Sequence, residues 1–531
     1  MTILANEIFK NASFRNFSLS EDRENFKKSL EIVREQLGRS YQLKDGSLCS
    51  TKTSKFKPSY NPAEPSQIIG YVEYADQQDA EQALKVLAEG RKAWSRVSLE
   101  DRVKKTEALA DWMEARRDEL SSWMVFEAGK SWREADADTC EAIDFCRYYA
   151  REMIRLGAPR LMQKLQGENN HLVYRPRGIS LVIAPWNFPL AILAGMTIAS
   201  LVTGNSVIIK PAEQTSVIGA LLAQGLKEVG FPAESFYFLP GIGEEIGPQL
   251  VQDERVDLII FTGSANVGLS IIEEAAKKPK PNQKGVKKVI AEMGGKNALI
   301  IDDDADLDEA VIGASMSAFG FQGQKCSALS RLLVHENVYD QFVSRFVEAA
   351  KSLRSGSPTQ PEFQVGPVID QEAQERIEKT ILEASKRLKT LYIQEKNPAL
   401  KGHFVPLAIF EVEDDKDFIF QNEIFGPVVA VKKVKSLDEA IENANSVRFA
   451  LTGGIYSRNP SHIERVKEEM EVGNLYINRG ITGAIVERQP FGGYKLSGVG
   501  SKAGGPDYLI QLMEPRTITE NTVRRGFAAS E

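Results

Sequence analysis

Three side chains in this 531-residue chain are of types that together could carry acyl chemistry. Cys326 lies in FGFQGQKCSALSR, where Gly320 and Gly323 loosen the backbone ahead of the thiol and Lys325 directly precedes it. A cation beside a thiol favours the thiolate, the form that attacks carbon. A lone cysteine is more often buried and inert, so the residue alone decides little. Glu292, in AEMGGKN, closes an apolar strand and is followed shortly by two glycines. Facing a pocket, such a carboxylate would rise in pKa and could serve as a general base toward water; facing solvent, it would be an ordinary strand end. Asn187 sits in PWNFP between Pro185 and Pro189. Its amide could donate to an oxyanion, or simply hold a turn.

Metal chemistry has no comparable support. His171, His335, His403 and His462 are isolated, and Cys140 and Cys146 at i, i+6 face different sides of a helix, so no zinc-ligand spacing exists. With Cys49 and Cys326 these are too few and too scattered for a disulfide framework, and reduced thiols in a cytosolic compartment fit better. The N-terminus has no apolar signal region, and Glu7 and Glu21 argue against a transit peptide. At 42 % apolar and 26 % charged residues the composition is that of a globular protein, which excludes disorder. The net charge of −7 argues against a nucleic-acid partner.

The elements that must position these residues follow from periodicity. Apolar residues recur at helical spacing over residues 20–37, 99–129 and 132–156, and residues 51–66 read as loop. Between Arg177 and Lys210 no charge occurs, long enough to suggest a membrane span, but Pro185 and Pro189 interrupt it. The run reads instead as a strand over 179–184, a helix over 190–202 and a strand over 206–210. Strands and helices then alternate to residue 292, which predicts βαβ units and a parallel sheet, and the pattern starts afresh at NALIIDD.

The Asn of PWNFP, the Glu of EMGGKN and the Cys 34 positions further on (326 − 292), together with KPAE, FTGS, EIFGPV and PFGG, resemble the aldehyde dehydrogenase superfamily over about residues 58–515. The resemblance implies an α/β fold of that type. With the motif placement it gives a Rossmann-type doubly wound NAD-binding domain over 1–158 and 178–292, with an N-terminal helical extension. A second α/β domain over 293–505 would carry the nucleophile, and 159–177 with 506–531 would form a small β oligomerisation arm. By resemblance, Cys326 adds to the aldehyde carbon, and Asn187 and the Cys326 N–H hold the resulting oxygen. Hydride leaves for the nicotinamide, and Glu292 activates the water that hydrolyses the thioester. Acylating relatives lack that base, so an acid product is expected.

No G-x-G-x-x-G follows the first strand. Instead FTGSANVG ends a strand and opens a helix whose N-terminus can receive a pyrophosphate. The family places Gly263 and Ser264 there, Lys210 and Glu213 at the adenosine ribose, and Glu423 and Phe425 of EIFGPV at the nicotinamide ribose and ring. Ala184, Pro185, Trp186 and Gly294 line the same cofactor. A carboxylate at Glu213 would bind a 2′-hydroxyl and repel a 2′-phosphate, favouring NAD over NADP.

ITGAIVERQPFGGYKLSG, GQKCSA and EADADTCEAIDF resemble one branch of that superfamily, which oxidises L-glutamate γ-semialdehyde (1-pyrroline-5-carboxylate) to L-glutamate in proline degradation. The alternative is another small aldehyde, such as a succinic or amino semialdehyde. By this resemblance Gly483 and Ala484 donate N–H groups to the substrate α-carboxylate, helped by Ser327. Phe188 and Phe491 flank its aliphatic part, and Glu141 pairs with Lys325. Glu487 and Arg488 stand in the same segment, and an acid there would repel a carboxylate. At the N-terminus YQLKDGSLCSTKTSKFKPSYNP departs from the family's usual strand pair, so local pairing is expected to differ. The expectation is a monofunctional cytoplasmic homo-oligomer, dimer or higher, taking its substrate from a separate proline dehydrogenase, without membrane or nucleic-acid partner.

Overall fold

The computed structural model describes residues 8–523. The ends of two expected segments, residues 1–7 of the N-terminal extension (with Glu7) and 524–531 of the arm, lie outside the described residues.

A six-stranded sheet runs in the order Gly498–Val499, Lys288–Glu292, Val256–Thr262, Ile179–Ile183, Ser206–Lys210, Phe236–Phe238. Every neighbour is parallel except the first pair. Its strands obey a period of two: Val182, Ile209, Leu258, Ile260 and Ile290 pack into the core under the helices Trp132–Gly157, Ala191–Val202 and Ser216–Glu228. Leu181, Ile208, Ile259 and Phe261 point to the opposite core. Each such fully buried chain is worth roughly 1.5–3 kcal/mol, so both faces must be covered and the charge-free run becomes core. Among the described residues no helix is long and apolar enough to cross a membrane.

The first strand in sequence, Ile179–Ile183, is central; the next two add on one side, and Val256–Thr262 and Lys288–Glu292 add on the other. That reversal is a topological switch point, and the carboxyl ends of its strands form a crevice. A seven-stranded sheet follows, in the order Lys389–Ile393, Ala408–Glu411, Val428–Val434, Leu329–His335, Asn297–Ile301, Thr452–Tyr456, Asn474–Ile477, parallel apart from the first pair. A third, antiparallel sheet joins Arg160–Leu161, Glu168–Pro176 and Met513–Asn521.

Two readings need correction. Residues 51–66 are not all loop: Phe56–Asn61 pairs with Glu64–Glu73, and Arg39–Tyr41 adds to the latter in parallel. Three prolines made the stretch look irregular, but Asn61 Oδ1 accepts from Ala63 N (2.9 Å) and closes the turn. Residues 99–129 form two helices, Leu99–Ala115 and Arg117–Glu127, because Arg116 leaves helical geometry (φ −110°, ψ 19°).

Candidate active site

The site lies where the carboxyl edge of the first sheet meets the amino edge of the second. Ala184, Pro185, Trp186 and Asn187 follow the strand Ile183 ends, Lys210 ends the next, Gly263 and Ser264 follow Thr262, and Glu292 ends its own strand, with Gly294 just beyond. From the other side, Cys326 and Ser327 precede the strand Leu329–His335, and Glu423 and Phe425 precede Val428–Val434.

Two asparagines hold the turn at the thiol, Asn187 from the first half and Asn297 from the second. Asn187, 4 % exposed, donates from Nδ2 to Gln324 O (3.0 Å), two residues before Cys326. An amide has two N–H bonds, so the second stays available for an oxygen near the thiol. Asn297 donates from its Nδ2 to Cys326 O (2.7 Å) and Ala328 O (2.8 Å), and its Oδ1 accepts from Thr452 N (3.0 Å). The turn that presents the nucleophile is therefore clamped by Asn187 on one side and by Asn297, at the start of the neighbouring strand, on the other. Gly295 permits this approach: a Cβ there would stand 2.4 Å from Cys326 O. Ahead of the thiol, Phe321, Gln322 and Gly323 are consecutively left-handed (φ 48°, 56°, 67°). Such strain persists only where surroundings impose it, and Gln322 Nε2 donating to Pro367 O (2.7 Å) is one such restraint.

Lys325 does not act as the sequence suggests. Its ammonium donates to Glu134 Oε1 (2.6 Å), not to Glu141, which lies seven residues further along the same helix. Burial raises the Cys326 pKa above its ordinary value, with the Glu423 and Glu292 carboxylates adding to the rise. Burial also raises Glu141, to about 8, assisted by Asp138.

Glu292 is pushed up to about 8 by burial, Lys502 being the opposing influence. Its Oε2 has no hydrogen-bond partner, and the carboxylate faces Gly492 and Gly498, where a Cβ would meet it at 2.9 and 3.7 Å. The ionised form of such a group, which grows as pH rises toward 8, can take a proton from water.

The cofactor candidates fit a dinucleotide. Ser264 Oγ caps the helix Ala265–Ala275, leaving that helix start and the exposed Val267 beside it open to a phosphate and an apolar ring. Glu213 Oε1 accepts from Lys210 Nζ (3.0 Å) and Gly243 N (2.7 Å), so its carboxylate is held in place. Gly294 lacks the Cβ that would collide with Glu423 Oε2 at 2.1 Å, and Gly295 N donates to Glu423 Oε1 (2.9 Å). Burial raises Glu423 to about 7. Phe425, left-handed at φ 54°, packs edge-on to Trp186 with ring centroids 5.5 Å apart. Gly295, Gly323, Lys325, Glu423 and Phe425 line one small cleft.

On the substrate side, Gly483 is left-handed (φ 74°) with open space where a Cβ would stand, and Ala484 follows it. Phe491 N donates to Ala503 O (2.8 Å), and Ser327 O accepts from Thr452 Oγ1 (3.2 Å). Arg488 is exposed, with Asp144 among the charges near it, and Glu487 N donates to Gly504 O (2.9 Å).

Phe188 has a neighbour that sequence reasoning missed. Lys130, wholly buried, lies 4.2 Å from the centre of the Phe188 ring and 4.6 Å from that of Phe321, and pairs with Asp138 (2.9 Å). Asp138 Oδ1 in turn accepts from Ala191 N (2.6 Å), fixing the start of the helix after PWNFP. Nothing in the periodicity marked Lys130. Asn297 carried a signal, a strand-disfavoured residue opening an apolar strand.

Comparison with known proteins agrees with this geometry. The aldehyde dehydrogenase family signature matches residues 49–518, and the chain belongs to that family. Among its relatives, 1-pyrroline-5-carboxylate dehydrogenase of Geobacillus thermodenitrificans is 46 % identical, over 96 % of this chain and 99 % of that one. 1-Pyrroline-5-carboxylate dehydrogenase 2 of Bacillus subtilis is also 46 % identical over the same shares. The crystal structure of a Thermus 1-pyrroline-5-carboxylate dehydrogenase with bound NAD superposes with a TM-score of 0.93 at 40 % identity, covering 97 % of this chain and 99 % of that one. Proline utilization A of Bdellovibrio bacteriovorus gives 0.95 at 49 % identity, covering 99 % of this chain but only 54 % of its own.

Proposed function

We propose that this protein oxidises L-glutamate γ-semialdehyde, the open form of 1-pyrroline-5-carboxylate, to L-glutamate with NAD. The observation that carries the reading is the convergence of Asn187 and Asn297 on the two carbonyls flanking the Cys326 thiol, in a chain that matches 1-pyrroline-5-carboxylate dehydrogenases from end to end. Cys326 releases its proton to solvent water and adds to the aldehyde carbon, giving a tetrahedral oxyanion that receives hydrogen bonds from Asn187 Nδ2 and the Cys326 N–H. NAD, held by the residues named below, would supply the hydride acceptor that turns this adduct into a thioester on Cys326. Glu292 takes a proton from water, the hydroxide adds to the thioester carbonyl, and the thiolate departs with the acid as product.

Glu213 with Lys210, Gly263, Ser264, Ala184 to Trp186, Gly294, Glu423 and Phe425 hold the cofactor. Phe188 and Phe491 flank the substrate chain, and Gly483, Ala484 and Ser327 receive its α-carboxylate. In this reading Glu141 stays near the substrate while Glu134 takes its expected place beside Lys325. The sheet of Arg160–Leu161, Glu168–Pro176 and Met513–Asn521, which exposes Leu161 and Ile518, with Leu165 exposed on its connection, serves assembly into a homo-oligomer. A cytoplasmic site and supply of substrate by a separate proline dehydrogenase belong to the same reading.

The test is kcat/KM for pyrroline carboxylate against short aliphatic, succinic and amino semialdehydes. A preference for a substrate without the α-amino acid group overturns the assignment. Cys326→Ala should abolish oxidation while keeping NAD binding, measured by fluorescence titration.

A further inference from the structure

We infer that the N-terminal segment from Phe9 to Arg15 is a strap that positions the substrate-carboxylate loop, and that Asn11 is its working residue. The inference rests on the reading that Gly483 and Ala484 receive the carboxylate. It adds a positioning group from a part of the chain remote in sequence from every motif described above.

The strap runs along the helix Trp132–Gly157. Ala12 N donates to Asp144 Oδ1 (2.7 Å), Arg117 Nη1 donates to Ser13 O (2.7 Å), and Arg15 N donates to Asp136 Oδ2 (2.8 Å). Asp136 and Asp144 stand two turns apart on one face of that helix, so the strap is pinned at both ends. Phe9 closes it, its ring edge-on to Tyr148 at 5.4 Å.

Asn11 is where the strap reaches beyond the helix. Its Nδ2 donates one hydrogen to Asp144 Oδ2 (2.9 Å) and the other to Val486 O (3.0 Å), across 475 positions of sequence. Val486 belongs to the loop that carries Gly483 and Ala484. The loop's ends are held by Ile481 N on Ser317 Oγ (3.0 Å) and by Phe491 N on Ala503 O (2.8 Å). Gly483 and Glu487 are both left-handed (φ 74° and 69°), so residues 484–486 sit between two sharp bends. A receptor made of backbone N–H groups works only if those groups keep their direction. Glu487 N, in the same peptide unit, donates to Gly504 O (2.9 Å), and the bond from Asn11 holds the carbonyl side of that unit, so the two together set the peptide planes that face the substrate.

The prediction is read from a split between substrates. Asn11→Ala should raise KM for pyrroline carboxylate about three- to tenfold, the range for one lost hydrogen bond, with kcat within about twofold of wild type. For propanal, which has no carboxylate, kcat/KM should stay within about twofold, since the thiol and its clamps are untouched. A second variant separates the loop from the helix. In the swapped pair N11D/D144N the amide, now on the helix, donates to the carboxylate, now on the strap, and the amide oxygen still accepts from Ala12 N, which restores the strap on the helix. The swap also sets a carboxylate oxygen against Val486 O, so KM should remain raised. Three results overturn the inference: an unchanged KM in Asn11→Ala, equal losses on both substrates, or a wild-type KM in the swapped pair. Wild-type protein showing no preference for pyrroline carboxylate over propanal overturns the functional reading instead, and the inference falls with it.

Discussion

Glu292 offers the sharpest check on the chemistry, because burial raises its pKa to about 8 and its task requires the ionised form. About a tenth of the carboxylate is ionised at pH 7 and about nine-tenths at pH 9. If Glu292 is the base for thioester hydrolysis, that step should speed up roughly tenfold between these values and level off above, following one ionisation near 8. The assay is stopped-flow NADH absorbance. A burst marks acylation, and the slower steady phase marks hydrolysis whenever a burst is present. Glu292→Gln should keep the burst and lose the steady phase. The same group predicts stability with opposite sign. The unfolded chain releases this proton near 4.5 but the folded one near 8, so between those values the native state binds more protons and stability falls as pH rises. Each pH unit costs roughly 1.4 kcal/mol. Glu292→Gln removes that cost and should unfold at higher denaturant than wild type at pH 8, with the difference vanishing near pH 4.5. A pH-independent steady phase in wild type, or burst and turnover falling together in Glu292→Gln, would refute the assignment of this carboxylate to hydrolysis.

Three other outcomes follow. Lys130→Met leaves Asp138 buried without its cation and should cost about 3–5 kcal/mol by denaturant titration, with Lys130→Met/Asp138→Asn recovering part of it. Asn297→Ala removes the clamp on Cys326 O and Ala328 O, and should lower the burst rate at least tenfold while NAD affinity, measured by titration, is retained. Glu213→Ser removes the carboxylate held by Lys210 and Gly243, and should raise the NADP/NAD ratio of kcat/KM at least tenfold. An unchanged ratio would count against its place at the ribose.

Much of the fold was legible because its cause is local. The strand Ser206–Lys210 and the helix Trp132–Gly157 stand where a short apolar run ending at Lys210 and a long 3.6-residue periodicity put them. The helix Gln77–Arg96 and the hairpin over 56–73 were not read, although Asp76 caps the helix at Gln78 N and Asp79 N (2.9 and 3.0 Å). The hairpin's prolines and polar residues become strands because its two arms pair with each other and Arg39–Tyr41 adds to the second, pairings that no residue pattern within either arm marks.

The sequence by itself determined the reacting groups and their family: a thiol, a carboxyl and an amide in three motifs, with the charge-free run that must become buried sheet. Those are properties of residue type and spacing. Only the tertiary structure decided how the groups are tuned. Lys325 adjoins Cys326 in the chain, yet its charge goes to Glu134, and two carboxylates, Glu423 and Glu292, help raise the pKa of the half-buried thiol. Lys130 and Asn11 carried no signal, because electrostatics and hydrogen bonding act over a few ångströms of space, and their partners lie up to 475 positions away in the chain.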